Sequence, residues 1–232
     1  ILDMVAEAWS ENVDDLDIKD GYVISYKTEE SISLKNIVVY GIPKPNDQGW
    51  IGGPVVGSGN FMPSYVTNLD KETGQGERAV VHYTTGAQAI DLEVDVNTGQ
   101  LTILKAASAF DVGRAINPDL VRAQIEGGFV QGMSSAIFEE MKLVNGNMQN
   151  PSFVDYRIAT SADVPEKIET IIVEAAQDDG PFGARGVGEH PMVPTIPALA
   201  NAIYNATGVR VTNPPLSAEK IYLAMLDSGV IE

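Results

Sequence analysis

Apolar residues recur along this chain with two periods, and the changes of period mark out its elements. Ile90, Leu92, Val94 and Val96 alternate with Asp91, Glu93 and Asp95, the pattern of a half-buried strand with one acidic face in water. Asn97-Thr98-Gly99 carries turn chemistry, and Leu101-Thr102-Ile103-Leu104 opens a returning strand, so a hairpin is predicted. Asn117-Pro118-Asp119 supplies a cap, a proline for the first helical position and an acid for the first turn, which predicts a helix running to about Glu139. Asn145-Gly146 predicts a second hairpin, and residues 168–174 read as an apolar strand. Ile196, Leu199, Ala200, Ile203 and Tyr204 fall at helical spacing up to a stop at Gly208, and a last helix follows from Ser217, its N-cap, to about Leu226.

The first part of the chain is less regular. Leu2, Val5 and Trp9 share one helical face, residues 21–26 read as a short strand, and residues 31–35 suit either a brief helix or a strand. From 41 to 60 the prolines Pro43, Pro45 and Pro54 and several glycines predict irregular loop. Residues 53–59 look superficially like a phosphate cradle, but the Gly-Lys-Ser/Thr element is absent and Pro54 removes an N–H donor. Strands meeting by hairpins with helices between them predict an α+β fold, a mixed and mostly antiparallel sheet with helices packed on it. The expected division is a variable lead-in region, 1–79, and a C-terminal domain, 80–232. The chain opens inside an amphipathic pattern without an N-cap, as a piece of something longer would.

Two stretches break the pattern. Residues 180–191, G-P-F-G-A-R-G-V-G-E-H-P, hold four glycines and two prolines in twelve positions and predict a loop. Its glycines Gly183, Gly186 and Gly188 are expected to take positive φ and to admit something bulky. Glu189 is its one carboxylate, beside His190. The plain alternative is a turn with a solvated glutamate. The second break is Gly127, Gly128 and Gly132 inside the predicted helix, each costing about 1 kcal/mol relative to alanine. Tight helix packing explains them as well as a flat ligand pressing on that face would, with Gln124 able to read the ligand's edge.

Composition narrows the function. A formal net charge of −17 repels phosphate backbones and anionic membranes, so nucleic acid and membrane are not expected partners. With no cysteine, the chain offers no thiolate for a metal or an iron–sulfur cluster. A cytoplasmic location is the expectation. His82 and His190 as metal ligands are a weak third reading, since 108 positions separate them and no ligand spacing surrounds either.

Four ordered motifs carry a resemblance: residues 111–118 (D-V-G-R-A-I-N-P), residues 124–132 (Q-I-E-G-G-F-V-Q-G), Asp155-Tyr156-Arg157, and residues 183–189 (G-A-R-G-V-G-E). From about residue 80 onward the chain resembles the C-terminal part of the molybdenum-binding large subunit of the xanthine dehydrogenase and aldehyde oxidase family. The resemblance implies a molybdenum hydroxylase that inserts water-derived oxygen into an electron-poor C–H of an N-heterocycle or an aldehyde. It implies a molybdenum–pyranopterin cofactor, molybdopterin or its cytosine dinucleotide form, whose own dithiolene holds the metal, so no protein metal ligand is expected. Glu189 matches the family's active-site base and Gln124 its pterin-binding glutamine, with Gly186, Val187 and Gly188 as backbone near the metal. The family's other cofactor-binding half is missing from this chain. That half, together with iron–sulfur and FAD modules on partner chains or domains, is therefore the expected company. A non-catalytic assembly or binding domain of the same fold is the competing reading.

Overall fold

A computed structural model describes residues 1–45, 48–52, 55–61 and 63–232. Gly53 and Pro54, where the phosphate-cradle question fell, lie outside the described residues. Two compact units emerge, Ile1–Tyr65 and Val66–Glu232.

In the first unit, helix α1 (Leu2–Trp9) buries Val5, Ala6 and Ala8. Strands β1 (Leu16–Lys19), β2 (Tyr22–Ser25) and β3 (Ser31–Ser33) follow as an antiparallel sheet in that order. Both alternatives for residues 31–35 are realised in succession. The chain leaves β3 directly into α2 (Leu34–Tyr40), because the Ser33 hydroxyl accepts from the Asn36 amide at 3.1 Å and caps the helix. The stretch expected to be irregular contains one two-residue ladder, β4 (Ile42–Pro43) with β5 (Trp50–Ile51). Val5, Leu16, Val23, Ile37 and Ile42 close the core of this unit.

The second unit is built on the predicted hairpin, β6 (Gly86–Val94) antiparallel to β7 (Leu101–Asp111). Helix α3 (Pro118–Ile137) starts where the Asn117 side chain accepts from the Leu120 amide. A small hairpin, β8 (Leu143–Val144) and β9 (Asn147–Met148), turns through Asn145 and Gly146, both at positive φ, as a two-residue turn of this kind requires. Strand β10 (Ile168–Val173) then lies parallel to β7, giving a mixed sheet of order β10-β7-β6. Helix α4 (Thr195–Thr207) ends at Gly208 in the left-handed region, and α5 (Ala218–Asp227) is capped by Ser217. Phe129 and Met133 of α3, Leu199 and Ile203 of α4, and Ile221 and Met225 of α5 are fully buried in one apolar cluster with Leu92 and Ala106 of the sheet. Each such side chain contributes on the order of 1.5–3 kcal/mol of burial, so this cluster holds α3 in place. Among the described residues no helix is long and apolar enough to cross a membrane.

Candidate functional site

Helix α3 has two unlike sides. Ile125, Phe129 and Met133 face the core, whereas Leu120, Gln124, Gly127 and Gln131 are exposed along one stripe. Between them run Gly128 and Gly132, and these are filled. A Cβ on Gly128 would lie 2.8 Å from Pro191 Cβ, and one on Gly132 would lie 2.7 Å from both the Met192 carbonyl oxygen and Thr195 Cβ. Two of the three helix glycines therefore serve close packing, seating the 3₁₀ turn His190–Met192 against the helix. Gly127 differs: nothing lies within 4 Å of the place its Cβ would occupy.

The seated turn is also tied to the sheet. Gln88 of β6 donates through Nε2 to the Pro191 carbonyl at 2.7 Å, while its Oε1 accepts from the Thr195 hydroxyl at 2.8 Å. Thr195 is fully buried, so this small network satisfies polar groups that burial would otherwise penalise.

The other end of the loop is braced by the segment that follows β7. The Arg185 amide donates to the Val112 carbonyl and the Arg114 amide to the Gly183 carbonyl, at 2.9 and 2.8 Å. Gly113 sits at φ 62°, and a Cβ there would collide with the Gly183 carbonyl, so the motif glycine is required by both conformation and space. The Arg185 guanidinium meets Asp111 at 3.1 Å and donates to the Tyr83 carbonyl. Burial works to raise the Asp111 pKa, but amide donation from Gly113 and Ala175 and the charges of Arg185 and His82 outweigh it and hold the carboxyl below its ordinary value.

Between these anchors the loop leaves Gly186 and Glu189 exposed and Val187 and Gly188 half-buried. Gln131 Nε2 donates to Glu189 Oε1 at 2.9 Å, which brings the carboxylate against the exposed stripe of α3. Gln124 and Val187 line one groove of roughly 200 Å³ with Arg114, Ile116 and Leu120. Gly186 and Gly188 present bare backbone with open space where a Cβ would be. Of the three loop glycines expected at positive φ only Gly183 takes it, together with Phe182, because the tight turn Pro181–Gly183 consumes the reversal. His190 stacks edge-on against Phe110 at 5.1 Å, and its burial pushes its pKa down. His82 and His190 gather no ligand set: among the described residues no three of His, Cys, Asp and Glu cluster to hold a metal.

Sequence reasoning assigned no role to Gln131 or to Gln88. For Gln131 a signal existed, because seven residues after Gln124 is two helical turns and so nearly the same face. Nothing local marks Gln88, whose partners lie 103 and 107 residues away.

Residues 1–165 match a family model described as "Molybdopterin cofactor-binding domain". The chain is 33% identical over 148 residues to the xanthine dehydrogenase molybdenum-binding subunit of Escherichia coli O157:H7, covering 63% of this chain and 20% of that protein. It is 34% identical over 168 residues to the aldehyde oxidoreductase of Megalodesulfovibrio gigas, covering 72% and 18%. The CO dehydrogenase structure from Oligotropha carboxidovorans superposes with a TM-score of 0.72 at 20% identity, over 99% of this chain and 27% of that one, a likeness of fold. The chain thus spans about a fifth of the length of these curated relatives.

Proposed function

We infer that this chain, which belongs to the molybdopterin cofactor-binding domain family, forms one wall of the cofactor and substrate site of a molybdenum hydroxylase, with Glu189 as its base. The single observation that carries the reading is the bond from Gln131 to Glu189, because it puts the loop's one carboxylate beside the exposed stripe that also bears Gln124 and Gly127.

The residues present fit a flat pterin. Gly127 leaves its place on the stripe bare, Gln124 offers an amide with two donors and one acceptor, and Gly186 and Gly188 allow backbone to approach without side chains. When bound, the molybdenum–pyranopterin supplies the two-electron redox chemistry and the activation of a water-derived oxygen. The chain's own part is to bind and to move a proton. Gln124 and the backbone of Gly186, Val187 and Gly188 hold and orient the ring system, and a Glu189 carboxylate oxygen takes the proton released as the oxygen becomes nucleophilic. Ile116, Leu120 and Val187 give the groove apolar walls that reduce its hydration.

The substrate class is an N-heterocycle or an aldehyde, the small electron-poor carbon that such a base would serve. The remainder of the cofactor site lies on the other cofactor-binding half of the subunit. Electrons leave through iron–sulfur and FAD partners, because this chain has no cysteine with which to hold a cluster.

Replacing Glu189 by glutamine in the complete enzyme tests the base. Hydroxylation is lost while molybdenum content stays near the wild-type level. Unchanged turnover would remove the mechanism, and absence of molybdenum from the wild-type complex would favour a non-catalytic domain of the same fold.

A further inference from the structure

The Glu189 carboxylate stands at the end of an exposed side chain with three rotatable bonds, yet a base acts efficiently only when it is held in one geometry. We propose that Gln131 is a positioning residue for Glu189: its amide nitrogen holds Oε1, leaving Oε2 as the oxygen that takes the proton. The inference rests on Glu189 being the base.

Both ends of this bond are mounted on fixed backbone. Gln131 lies on α3 between the fully buried Phe129 and Met133 and next to Gly132, which is packed under Thr195. Glu189 immediately precedes the turn His190–Met192, which is pressed into Gly128 and Gly132 and tied to Gln88. The remaining freedom is in the two side chains, and the 2.9 Å bond between them restricts it. The amide's sense is set by chemistry, since an ionised carboxylate only accepts and so must face the NH₂ group. Among the described residues Oε2 has no hydrogen-bond partner in the structure, so the carboxylate is held by one oxygen and open at the other.

The test uses the complete enzyme containing this chain, with rates expressed per bound molybdenum. Gln131→Leu is expected to lower kcat roughly ten- to a hundredfold while KM changes little. Gln131→Glu, which replaces the amide donor by an acceptor, is expected to lower kcat at least as far and serves where the leucine variant does not accumulate.

A second readout needs no turnover. In cofactor-free protein, carbodiimide-promoted coupling of glycine ethyl ester to Glu189 is followed over time at one pH by peptide mass spectrometry. The labelling rate rises in Gln131→Leu, because the oxygen that the amide holds is released. Wild-type kcat and labelling rate in both variants, with Glu189→Gln inactive, would overturn the positioning role alone. An active Glu189→Gln enzyme would overturn the base and this inference together.

Discussion

Gly132 lies directly beneath Thr195, so close that a Cβ on the glycine would stand 2.7 Å from the threonine Cβ. Gly132→Ala therefore forces α3 and the turn His190–Met192 apart. Overpacking of this kind costs about 1–3 kcal/mol, against about 1 kcal/mol returned by alanine's better helix propensity. A lower urea midpoint, accompanied by a lower kcat through displacement of Glu189, is the expected result. A raised midpoint would show that the seat is looser than the geometry describes.

Gly127 predicts the opposite sign. It is exposed and nothing lies near its missing side chain, so Gly127→Ala gains the helix propensity of about 1 kcal/mol and raises the same midpoint. If the stripe receives the pterin, the larger Gly127→Phe loses molybdenum, read by metal analysis of the complete enzyme, while its helix content by circular dichroism is retained. Full molybdenum occupancy in Gly127→Phe would move the cofactor off this face.

These two glycines also show how far the sequence could be read. Local chemistry was legible wherever one short segment determines its own conformation: the Asn117 cap, the Asn145-Gly146 turn, the Gly208 stop and the Ser217 cap all stand where their residue types require. The helix glycines announced a gap without saying what fills it, because the occupants, Pro191, Met192 and Thr195, lie some sixty residues downstream. Strand β10 read correctly as a strand, but its parallel pairing with β7 depends on a crossover that no local pattern encodes. Strand β1 went unread because its four residues, Leu-Asp-Ile-Lys, follow an acidic cluster and carry little apolar signal. Within the candidate site, Glu189 and Gln124 stood out by motif, whereas Gln131 became visible only through its bond.

Asp111 ties the β7 end of the loop brace to Arg185, and both side chains are largely buried. Asp111→Asn keeps an acceptor for the Gly113 and Ala175 amides but leaves the guanidinium without its counter-charge, a loss of about 1–3 kcal/mol. The sign of its pH dependence follows from its lowered pKa. The folded carboxyl ionises more readily than the unfolded one, so its stabilisation is present above the ordinary carboxylate value. It is lost as pH falls through the lower folded value. Urea midpoints measured from pH 5 downward should decline less steeply in Asp111→Asn than in the wild type.

His190 acts in a separate and higher window. Burial beside Phe110 lowers its pKa below the ordinary 6.5, so the folded protein holds the ring neutral while the unfolded chain takes up a proton. Between the folded value and 6.5 the unfolded state binds more protons, and stability rises with pH across that interval. Acidification from pH 8 should therefore weaken the protein first near pH 6.5, well before Asp111 titrates. His190→Gln removes this step: its midpoint is expected to stay flat where that of the wild type begins to fall, after a loss of about 1 kcal/mol or less for the ring contact with Phe110. Because His190 opens the turn that carries Glu189, the same acidification in the wild type loosens the carboxylate's mount. Labelling of Glu189 should then lose its dependence on Gln131 as His190 becomes charged. Equal pH slopes in the wild type and His190→Gln would show that the histidine is solvated in the folded state and that the acid sensitivity of the site lies elsewhere.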